Sequence, residues 1–365
     1  MNHKKNICII TSVHIPTDIR IYHKEARSLS KNYNVTILAT GKKPMDSDGL
    51  VDWVILPRPK SRGERFTKTL YKILQVSLKM DACVYHLHDP ELIPIGIILS
   101  LLNRNIVFDI HEDSFLQIQS KKWLPTRLRT VMAHLYLFLL NYAAKRFSSI
   151  ITATDGIAET LDTKTCVLKN YPILGELSSV EGKSSRNVIA YLGGVAYNRG
   201  LSQRAAIGST AICDVVIAGP FQHQAEREKF EKEGGFEFVK YLGRIDRPAV
   251  KCLLNDSFAG LVLLKPEPYF LESLPIKMFE YMEAGVPVIA SDFPFWKALL
   301  EPYECAIFVD PDNLEQIIEA VEKLRSSQEL VNHMGQNGKW AVQENFNWTI
   351  EEKKLLALYH KITKN

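Results

Sequence analysis

The sequence predicts an α/β protein with two domains, each built around a parallel β-sheet. Its 365 residues are enough for two domains of ordinary size, each with its own core. Unbroken apolar runs recur along the chain, and such runs are typical of parallel strands that are covered on both faces. The run at Asn187–Leu192 repeats the pattern of the first run at Asn6–Ser12, which indicates the start of a second domain.

The composition argues against several classes of protein. Hydrophobic residues make up 46% of the chain and charged residues 24%, so long disordered segments are not expected. The six cysteines include no C-x-x-C pair, which favours buried, reduced thiols over a disulfide framework or a zinc site. The apolar run near the N-terminus is too short for a signal peptide. Together these features predict a cytoplasmic protein.

The first domain begins with a β-α-β unit. Asn6–Ser12 predicts the first strand, Thr17 or Asp18 is placed to cap the helix that follows, and Val35–Thr40 predicts the next strand. Such a unit opens a Rossmann-like domain, whose ligands lie at the carboxyl ends of the strands.

Two further strand-like runs of the first domain end in a histidine beside a carboxylate. His88 and Asp89 follow the earlier run, and His111 and Glu112 follow the later one. Because the carboxyl ends of parallel strands meet at one edge of the sheet, these side chains are expected to lie together where an active site would open. No spacing of histidines or cysteines indicates a metal site, so none is predicted.

The second domain is predicted to follow a linker. Residues 169–187 are polar and contain glycine, serine and proline, which is the composition of a segment between domains. The first strand of the second domain then leads into the loop GGVAYNRG. Gly193 and Gly194 let the backbone approach a phosphate, and Arg199 can pair with it.

The most informative stretch is Ala259–Asp292, which predicts a strand, a loop, a helix and a second strand. Pro275 suits the first helical position, and Gly285 suits the left-handed residue just past the helix end. Glu272 lies in the loop before the helix N-terminus, and such a terminus attracts phosphate.

Three charged residues of this stretch are predicted to surround one anion site. Lys277 and Glu280 share a side of the helix, and Glu272 precedes it. A diphosphate suits Lys277 and the helix end, and sugar hydroxyls suit the two carboxylates, so the combination predicts a nucleotide sugar. The simpler alternative is an exposed pair of Lys277 with Glu280, worth about 0.2–0.5 kcal/mol, beside an ordinary loop carboxylate.

The segment ESLPIKMFE, from Glu272 to Glu280, with the following YMEAGVPVIASD, resembles the E-x7-E signature of retaining glycosyltransferases of family 4. The resemblance implies the GT-B fold, in which two Rossmann-like domains with parallel sheets face each other across a cleft. It also implies transfer of a sugar with retention from a nucleotide-diphosphate sugar, UDP- or GDP-linked, to an acceptor hydroxyl, without a cofactor. Glu283 departs from the small residue expected at its position.

The resemblance assigns roles to individual positions. His111 matches the residue that contacts the donor sugar near the reacting carbon, and Arg244 lies where the family contacts the base. The predicted catalytic residues are His111, Glu272 and Arg199; the predicted donor-binding residues are Gly193, Gly194, Arg199, Arg244, Glu272, Ser273, Leu274, Lys277 and Glu280; and the predicted acceptor-binding residues are His14, Asp18, His88, Asp89 and Glu112. Arg20 could also contact the acceptor or a donor phosphate, and the alternative role for Asp18 is the helix cap.

The chain departs from the family in its two glycine loops, and this leaves other functions open. The first loop lacks a Gly-Gly pair, and its form is associated with a bacterial polysaccharide branch. In the second loop Gly194 stands where the family often has arginine, so Lys277 or Lys265 would have to supply the missing charge. A non-catalytic relative that binds sugar nucleotides remains an alternative, as does a sugar-nucleotide epimerase.

The expected domain limits are 1–170 for an acceptor-binding domain and 171–349 for a domain that binds the nucleotide sugar, with a last helix at 350–365 that crosses back to the first domain. Residues 1–170 carry a net charge of +9, and the remainder carries −5. The expected acceptor is a saccharide or a lipid-linked saccharide of a bacterial surface polysaccharide. No nucleic-acid partner is expected.

The basic first domain raises the question of a membrane contact. The segment Lys121–Arg146 has six basic residues and no acidic one around the apolar run Val131–Ala144. That run is too short to cross a bilayer, which takes about 20 residues. It is either an interfacial anchor on anionic lipid, at the inner face of the plasma membrane, or a buried helix of the domain with solvated ends.

Overall fold

The computed structural model describes residues 4–44, 49–111, 114–120, 125–161, 163, 165–178 and 187–364. The chain divides into two compact units. The first unit comprises residues 1–170 and 350–365, and the second comprises residues 171–349.

In the described part of the first unit, seven parallel strands form one sheet in the order β3-β2-β1-β4-β5-β6-β7. Their bounds are β1 Asn6–Ile10, β2 Asn34–Thr40, β3 Val51–Leu56, β4 Val84–Leu87, β5 Asn105–Ile110, β6 Ser149–Thr152 and β7 Thr165–Val167. The sequence does not predict β3, because Asp52 interrupts its apolar run. In the structure most of its positions are only half-buried. It lies at the edge of the sheet, where continuous burial is not required.

The helices of the first unit cover the sheet. A π-helix at Ile19–Ala26 continues as an α-helix at Arg27–Ser30, and the other helical segments are Arg62–Glu64, Arg65–Thr69, Leu70–Lys79, Pro90–Leu92, Ile93–Leu101, Ser114–Ser120, Thr126–Ala144, Asp155–Glu159 and the terminal Trp348–Lys364. Tyr359 of the terminal helix is buried, and its hydroxyl oxygen lies 2.8 Å from Nδ1 of His86 on β4. Residues 350–364 therefore complete the core of the first unit.

In the described part of the second unit, six parallel strands form a sheet in the order β10-β9-β8-β11-β12-β13. Their bounds are β8 Val188–Leu192, β9 Asp214–Ala218, β10 Lys240–Gly243, β11 Ser257–Val262, β12 Val288–Ser291 and β13 Ala306–Val309. The helical segments are Tyr197–Arg199, Leu201–Ser209, Gln224–Lys232, Gly235–Glu237, Arg247–Asn255, Pro268–Leu271, Ile276–Glu283, Pro294–Leu300, Glu301–Tyr303, Leu314–Ser326 and Gln328–Glu344. The α/β fold class with two parallel-sheet Rossmann-like domains is confirmed.

The helix Ile276–Glu283, here called the donor helix, is fixed tightly against the second sheet. A Cβ atom on Gly260 of β11 would lie 2.3 Å from the ring of Tyr281, so only glycine allows this approach. The backbone N–H of Leu192, at the end of β8, donates to the Tyr281 hydroxyl at 2.8 Å. The donor helix is therefore held in place at the carboxyl end of β8.

The donor helix begins and ends close to the positions predicted from the sequence. Gly285 has φ +69° and is the left-handed residue past the helix end, as predicted. Pro275 is the N-cap, with ψ 119°, and the prediction that it is the first helical residue is wrong by one position. Its ring fixes only φ, which is compatible with both positions, so the sequence could not separate them.

Glu283, which departs from the family pattern, has a structural role. Its carboxylate is buried and accepts hydrogen bonds from the backbone N–H groups of Gly175 (3.0 Å) and Leu177 (2.8 Å) and from the hydroxyl of Ser178 (2.8 Å). Burial raises the pKa of Glu283, while these hydrogen bonds act in the opposite direction. Glu283 thus connects residues 175–178, near the start of the second unit, to the donor helix.

A search of the described helices finds none with the length and apolarity needed to cross a membrane.

Candidate active site

The glycine-rich loop after β8 meets the donor helix. Gly193 has φ +103°, and a Cβ atom there would lie 3.4 Å from both Cε and Nζ of Lys277. The carbonyl oxygen of Gly193 also lies close to the backbone of Gly219, where a Cβ would approach it to 1.9 Å. A Cβ on Gly194 would lie 3.1 Å from the side-chain amide of Gln222. The structure therefore brings Gly193 to the side chain of Lys277, while Gly194 lies beside Gln222.

Lys277 is buried, with 6% of its surface exposed. Its ammonium nitrogen lies 3.7 Å from the ring centre of Tyr191, and the guanidinium carbon of Arg204 lies 3.6 Å from the same centre. Burial lowers the pKa of Lys277 to about 8, and the charges of Arg199 and Arg204 act in the same direction. Burial would raise the pKa of Tyr191, but Lys277 and Arg204 outweigh it and lower that pKa to about 8.

Arg199 adds a third positive charge to this group. Gly200, with φ +79°, follows Arg199, and a Cβ there would lie 2.7 Å from the carbonyl oxygen of Leu263. The Arg199 carbonyl accepts a hydrogen bond of 2.6 Å from Arg204, and its guanidinium lies 5.1 Å from the ring centre of Phe270. We call Arg199, Arg204 and Lys277 the cation cluster.

The cation cluster lacks compensating acids. Four nitrogen atoms of the cluster are buried without a hydrogen-bond partner among the described residues. They are Nζ of Lys277, Nε of Arg199, and both Nε and Nη2 of Arg204. Across residues 187–364, all of which are described, none of the three side chains forms an ion pair. Buried positive charge without a partner is costly. The arrangement can therefore hold an anion, and phosphate groups fit its chemistry. Lys265, the other lysine considered, pairs instead with Asp312 at 2.9 Å.

Glu280 is engaged by a partner that the sequence did not indicate. Its Oε1 accepts a hydrogen bond of 2.7 Å from Arg247, which also binds both oxygens of Glu176 at 2.7 Å. Burial would lower the pKa of Arg247, but the two carboxylates outweigh it and raise that pKa. The alternative of an exposed pair with Lys277 is therefore wrong, because both residues are buried and Arg247 holds one oxygen of Glu280.

In the loop before the donor helix, Glu272 is exposed, whereas Ser273 and Leu274 contact other parts of the second unit. Glu272 is exposed and caps the short helix Pro268–Leu271. Ser273 is fixed on both sides, because its hydroxyl donates to the Phe270 carbonyl (2.8 Å) and its own carbonyl accepts from the indole of Trp296 (2.7 Å). Leu274 packs against the core of the second unit. Arg244, predicted near the base, is exposed and follows Gly243, whose φ is +65°.

In the first unit, Asp89 holds the loop after β1. Its Oδ2 accepts from the hydroxyls of Thr11 (2.9 Å) and Ser12 (3.2 Å) and from the backbone N–H groups of Ser12 (2.6 Å) and Val13 (3.3 Å), and Oδ1 lies 3.5 Å from Nε2 of His14. Asp89 is buried. The structure therefore gives it a positioning role for this loop, and direct contact with an acceptor stays a prediction.

Asp18 caps the helix that follows, as the alternative interpretation had it. Its Oδ1 accepts from the backbone N–H groups of Arg20 (2.9 Å) and Ile21 (3.1 Å), and Oδ2 lies 3.4 Å from Nδ1 of His14. Burial would raise the pKa of Asp18, but the hydrogen bond and charge of His14 and the N–H of Ile21 outweigh it and lower that pKa to about 2. The structure places His14 between Asp18 and Asp89.

The prediction that Arg20 contacts a donor phosphate is wrong. Arg20 is buried, its Nε and Nη2 donate to the two oxygens of Asp109 (2.8 and 3.0 Å), and its Nη1 donates to the carbonyl of Leu168 (3.0 Å). Its Nε also lies 3.0 Å from Oε1 of Glu25. The guanidinium thus compensates two internal carboxylates that the sequence analysis did not consider. Asp109 lies within the apolar run Asn105–Ile110, and that placement is the signal that could have drawn attention to it. Glu25 has polar neighbours in the sequence and carries no such signal.

His88 and His111 lie side by side, as predicted from the ends of β4 and β5. Nδ1 of His88 lies 3.2 Å from Nε2 of His111, and the rings stack with centres 5.1 Å apart. Nδ1 of His111 lies 3.4 Å from Oδ1 of Asp109. Both nitrogens of His111 therefore face internal partners, whereas part of its ring is exposed. Glu112 lies outside the described residues.

A buried cluster continues below these two histidines. Glu25, His86, His88 and Asp109 bring candidate metal-ligand atoms within 4.8 Å of one another. Arg20 already contacts both carboxylates, so a metal ion bound there would have to displace its guanidinium. We therefore assign no metal to this cluster.

Residues 185–340 match the family described as glycosyl transferases group 1. The matched stretch is less than half of the chain. It includes the glycine-rich loop, the cation cluster and the donor helix. The stretch recognised by the family match therefore contains the predicted donor-binding residues of the second unit.

Solved structures of glycosyltransferases share the fold of the whole chain, which confirms the predicted GT-B fold. Sucrose-phosphate synthase from Thermosynechococcus elongatus is similar with a TM-score of 0.79 and 16% identity, over 99% of this chain and 100% of that one. Anabaena HepE in complex with UDP and glucose gives a TM-score of 0.73 and 12% identity, over 98% and 100%. WaaG, a glycosyltransferase involved in lipopolysaccharide biosynthesis, gives 0.73 and 12%, over 96% and 99%.

A curated relative matches a shorter stretch. The MMP α-(1→4)-mannosyltransferase of Mycolicibacterium hassiacum is 26% identical over 139 residues, which cover 36% of this chain and 34% of that protein. The match thus spans about a third of that relative's length.

Proposed function

We propose that this chain is a retaining glycosyltransferase that moves a sugar from a nucleotide-diphosphate sugar to an acceptor hydroxyl. The observation that carries the proposal is the cation cluster beside the glycine-rich loop, in the stretch that matches glycosyl transferases group 1. Lys277 and Arg204 are buried and Arg199 is half-buried, and none of them has an acidic partner among the described residues. A diphosphate supplies the negative charge that this cluster lacks. The complex of HepE with UDP-glucose supports the same class of donor.

The roles follow from the contacts of each side chain. Lys277 and Arg199 bind the diphosphate, and the exposed carboxylate of Glu272 accepts hydrogen bonds from hydroxyls of the sugar ring. Glu280 binds the ribose hydroxyls with its second oxygen, while Arg247 holds the first in place. Gly193 and Gly194 leave room for the phosphates because they have no side chain.

The proposed reaction breaks the bond between the anomeric carbon and the diphosphate oxygen and forms a bond from that carbon to the acceptor oxygen, on the same face of the sugar. The leaving diphosphate oxygen takes the proton of the acceptor hydroxyl, so no side-chain nucleophile is needed. Negative charge grows on the diphosphate as the bond breaks, and the cation cluster stabilises it there. We propose that His111, from the first unit, also takes part in transfer.

The proposed substrates are a UDP- or GDP-linked sugar and a saccharide or lipid-linked saccharide of a bacterial surface polysaccharide. The purified chain should be screened with UDP, GDP and their sugars for thermal stabilisation, because a ligand that binds only the folded state raises Tm. Product mass and the anomeric proton coupling then identify the reaction. Retention of configuration is expected; an inverted product, an epimerised nucleotide sugar, or binding without turnover would each contradict the proposal.

We also propose a peripheral contact with an anionic membrane through the helix Thr126–Ala144, here called the basic helix. Its inner side is buried at Ala133, Leu140 and Ala143. Its outer side exposes an apolar stripe in which Val131, Leu135 and Phe138 are 64%, 56% and 68% accessible. The helix carries Arg127 and Arg129 but no acidic residue. Exposed apolar side chains beside positive charge are typical of a helix that lies in the surface of anionic lipid.

This membrane contact predicts co-sedimentation with vesicles that contain phosphatidylglycerol and weaker binding to pure phosphatidylcholine. The variant Leu135→Ser/Phe138→Ser should lose apolar insertion, and Arg127→Glu/Arg129→Glu should lose the preference for anionic lipid. Lys323→Glu, an exposed charge reversal in the second unit, is the matched control. Equal sedimentation of all the variants would exclude the basic helix as the contact.

A further inference from the structure

The buried polar cluster of the first unit contains more carboxylates than positive charges. Arg20, Glu25 and Asp109 are all buried, and the single guanidinium contacts both carboxylates. If both carboxylates were ionised, one negative charge would remain uncompensated in the interior, at high free-energy cost. The remaining neighbours, His86 and His88, are neutral or charged according to the protons that they hold.

The distances between these groups indicate where the protons lie, starting from Asp109. Both of its oxygens accept from Arg20, which marks it as the ionised member. His111 Nδ1, 3.4 Å from Asp109 Oδ1, is then the protonated nitrogen of that ring. In a neutral imidazole the other nitrogen is an acceptor, so Nε2 of His111 must receive a proton from its neighbour.

The ring of His88 also has one donor nitrogen and one acceptor nitrogen. Nδ1 of His88 lies 3.2 Å from Nε2 of His111 and is therefore the donor. Nε2 of His88 is left as an acceptor, and it faces Oε2 of Glu25 at 3.4 Å. Two acceptors would repel each other at this distance, so Glu25 must carry the proton between them.

We infer that Glu25 is a neutral carboxylic acid and the first donor of a directed chain, Glu25 to His88 to His111 to Asp109, that fixes the tautomer of His111. The pKa shifts agree with a neutral Glu25 and a neutral His88. Burial and the charge of Asp109 raise the pKa of Glu25, and burial together with the charges of His86 and His111 lowers the pKa of His88. Burial would raise the pKa of Asp109, but Arg20 outweighs it and lowers that pKa.

Glu25 is thus a positioning residue, because it acts on His111 only through His88. Its importance for transfer rests on the proposed function of His111, but the protonation pattern does not. The pattern can be measured in the full-length chain without any substrate. Failure of the transferase proposal would therefore leave this inference open to its own test.

Infrared difference spectroscopy and histidine NMR provide that test. The wild-type chain at neutral pH should show the C=O stretch of a buried protonated carboxyl group, and Glu25→Gln should lose that band, whereas the exposed control Glu322→Gln should keep it. Spectra of ¹⁵N-histidine should show neutral His88 and His111, both protonated at Nδ1. Glu25→Gln, whose amide still donates to His88, should preserve these tautomers, and Glu25→Leu should not.

Three results would overturn the inference. The first is the absence of a protonated carboxyl band that depends on Glu25. The second is an imidazolium signal from His88 at neutral pH, which would place the proton on the ring. The third is a stoichiometric metal ion that remains bound after dialysis against a chelator, which would give the two carboxylates a different cation.

Discussion

The ammonium nitrogen of Lys277 lies 3.7 Å from the ring centre of Tyr191, one residue before the end of β8. This contact holds the lysine beside Gly193, although the two positions are far apart in the sequence. An aromatic face attracts a cation without neutralising its charge, so the lysine remains available to an anionic ligand.

The first prediction concerns nucleotide binding and pH. Because burial lowers the pKa of Lys277 to about 8, the affinity for UDP or GDP should fall as the pH rises through this value and the positive charge is lost. Calorimetric Kd values on both sides of about pH 8 provide the measurement. Lys277→Met should bind weakly at every pH. Lys265→Met is the matched control and should keep the wild-type profile; a flat wild-type profile would count against the role of Lys277.

The second prediction concerns stability without ligand. The folded-state pKa of Lys277, about 8, lies below the ordinary value of 10.5, so the unfolded chain binds more protons between these two values. The free energy of unfolding contributed by this residue should therefore rise with pH across this window. The lowered pKa of Tyr191 acts in the same direction. Urea denaturation at several pH values should show a smaller rise in Lys277→Met than in the wild type.

The third prediction separates the two carboxylates that bind Arg247. Glu280→Ala removes one 2.7 Å contact with this arginine and Glu176→Ala removes two, and each variant should lower the free energy of unfolding by about 1–3 kcal/mol. Only Glu280→Ala should also weaken donor binding, by roughly tenfold or more, because a hydrogen bond to a charged group contributes about 1.5–3 kcal/mol. Equal donor KM values in the two variants would remove Glu280 from the donor site.

The fourth prediction concerns His111. His111→Ala should lower kcat while the donor Kd stays near that of the wild type, since the cation cluster lies in the second unit and is not altered. Single-turnover rates together with nucleotide titrations make this comparison. His134→Ala, on the exposed side of the basic helix, serves as the control. Wild-type turnover in His111→Ala would exclude the residue from the reaction.

The fifth prediction tests the structural role of Glu283. Its buried carboxylate accepts three hydrogen bonds from residues 175–178, so Glu283→Ala should lower the free energy of unfolding by about 2–4 kcal/mol. Glu283→Gln keeps an acceptor oxygen and should be less destabilised. Denaturation midpoints decide between them, and an alanine variant as stable as the wild type would contradict the assignment.

Local sequence signals predicted the parts of the site that depend on local structure. Gly285 ends the donor helix in the left-handed conformation, and Gly193 and Lys277 come together because strand ends and helix starts meet at one edge of a parallel sheet. Asp18 caps its helix for equally local reasons. Periodicity and turn chemistry are properties of a few neighbouring residues, so they can be inferred from the sequence alone.

The parts that could not be predicted depend on partners distant in the chain. Arg247 lies 33 residues from Glu280 and 71 from Glu176, and Arg20 lies 89 residues from Asp109. No spacing rule connects such positions, so the contact of Glu280 with Arg247 was not predicted and Arg20 was expected to meet phosphate. The one usable signal was the position of Asp109 within an apolar, strand-like run.

The four hydrogen bonds that Asp89 accepts from Thr11, Ser12 and Val13 mean that the loop after β1 is already organised before any ligand arrives. A partner that docks against this loop loses little affinity to the entropy of ordering it. Recognition there should depend on shape, so acceptors that differ only slightly in outline should be discriminated strongly.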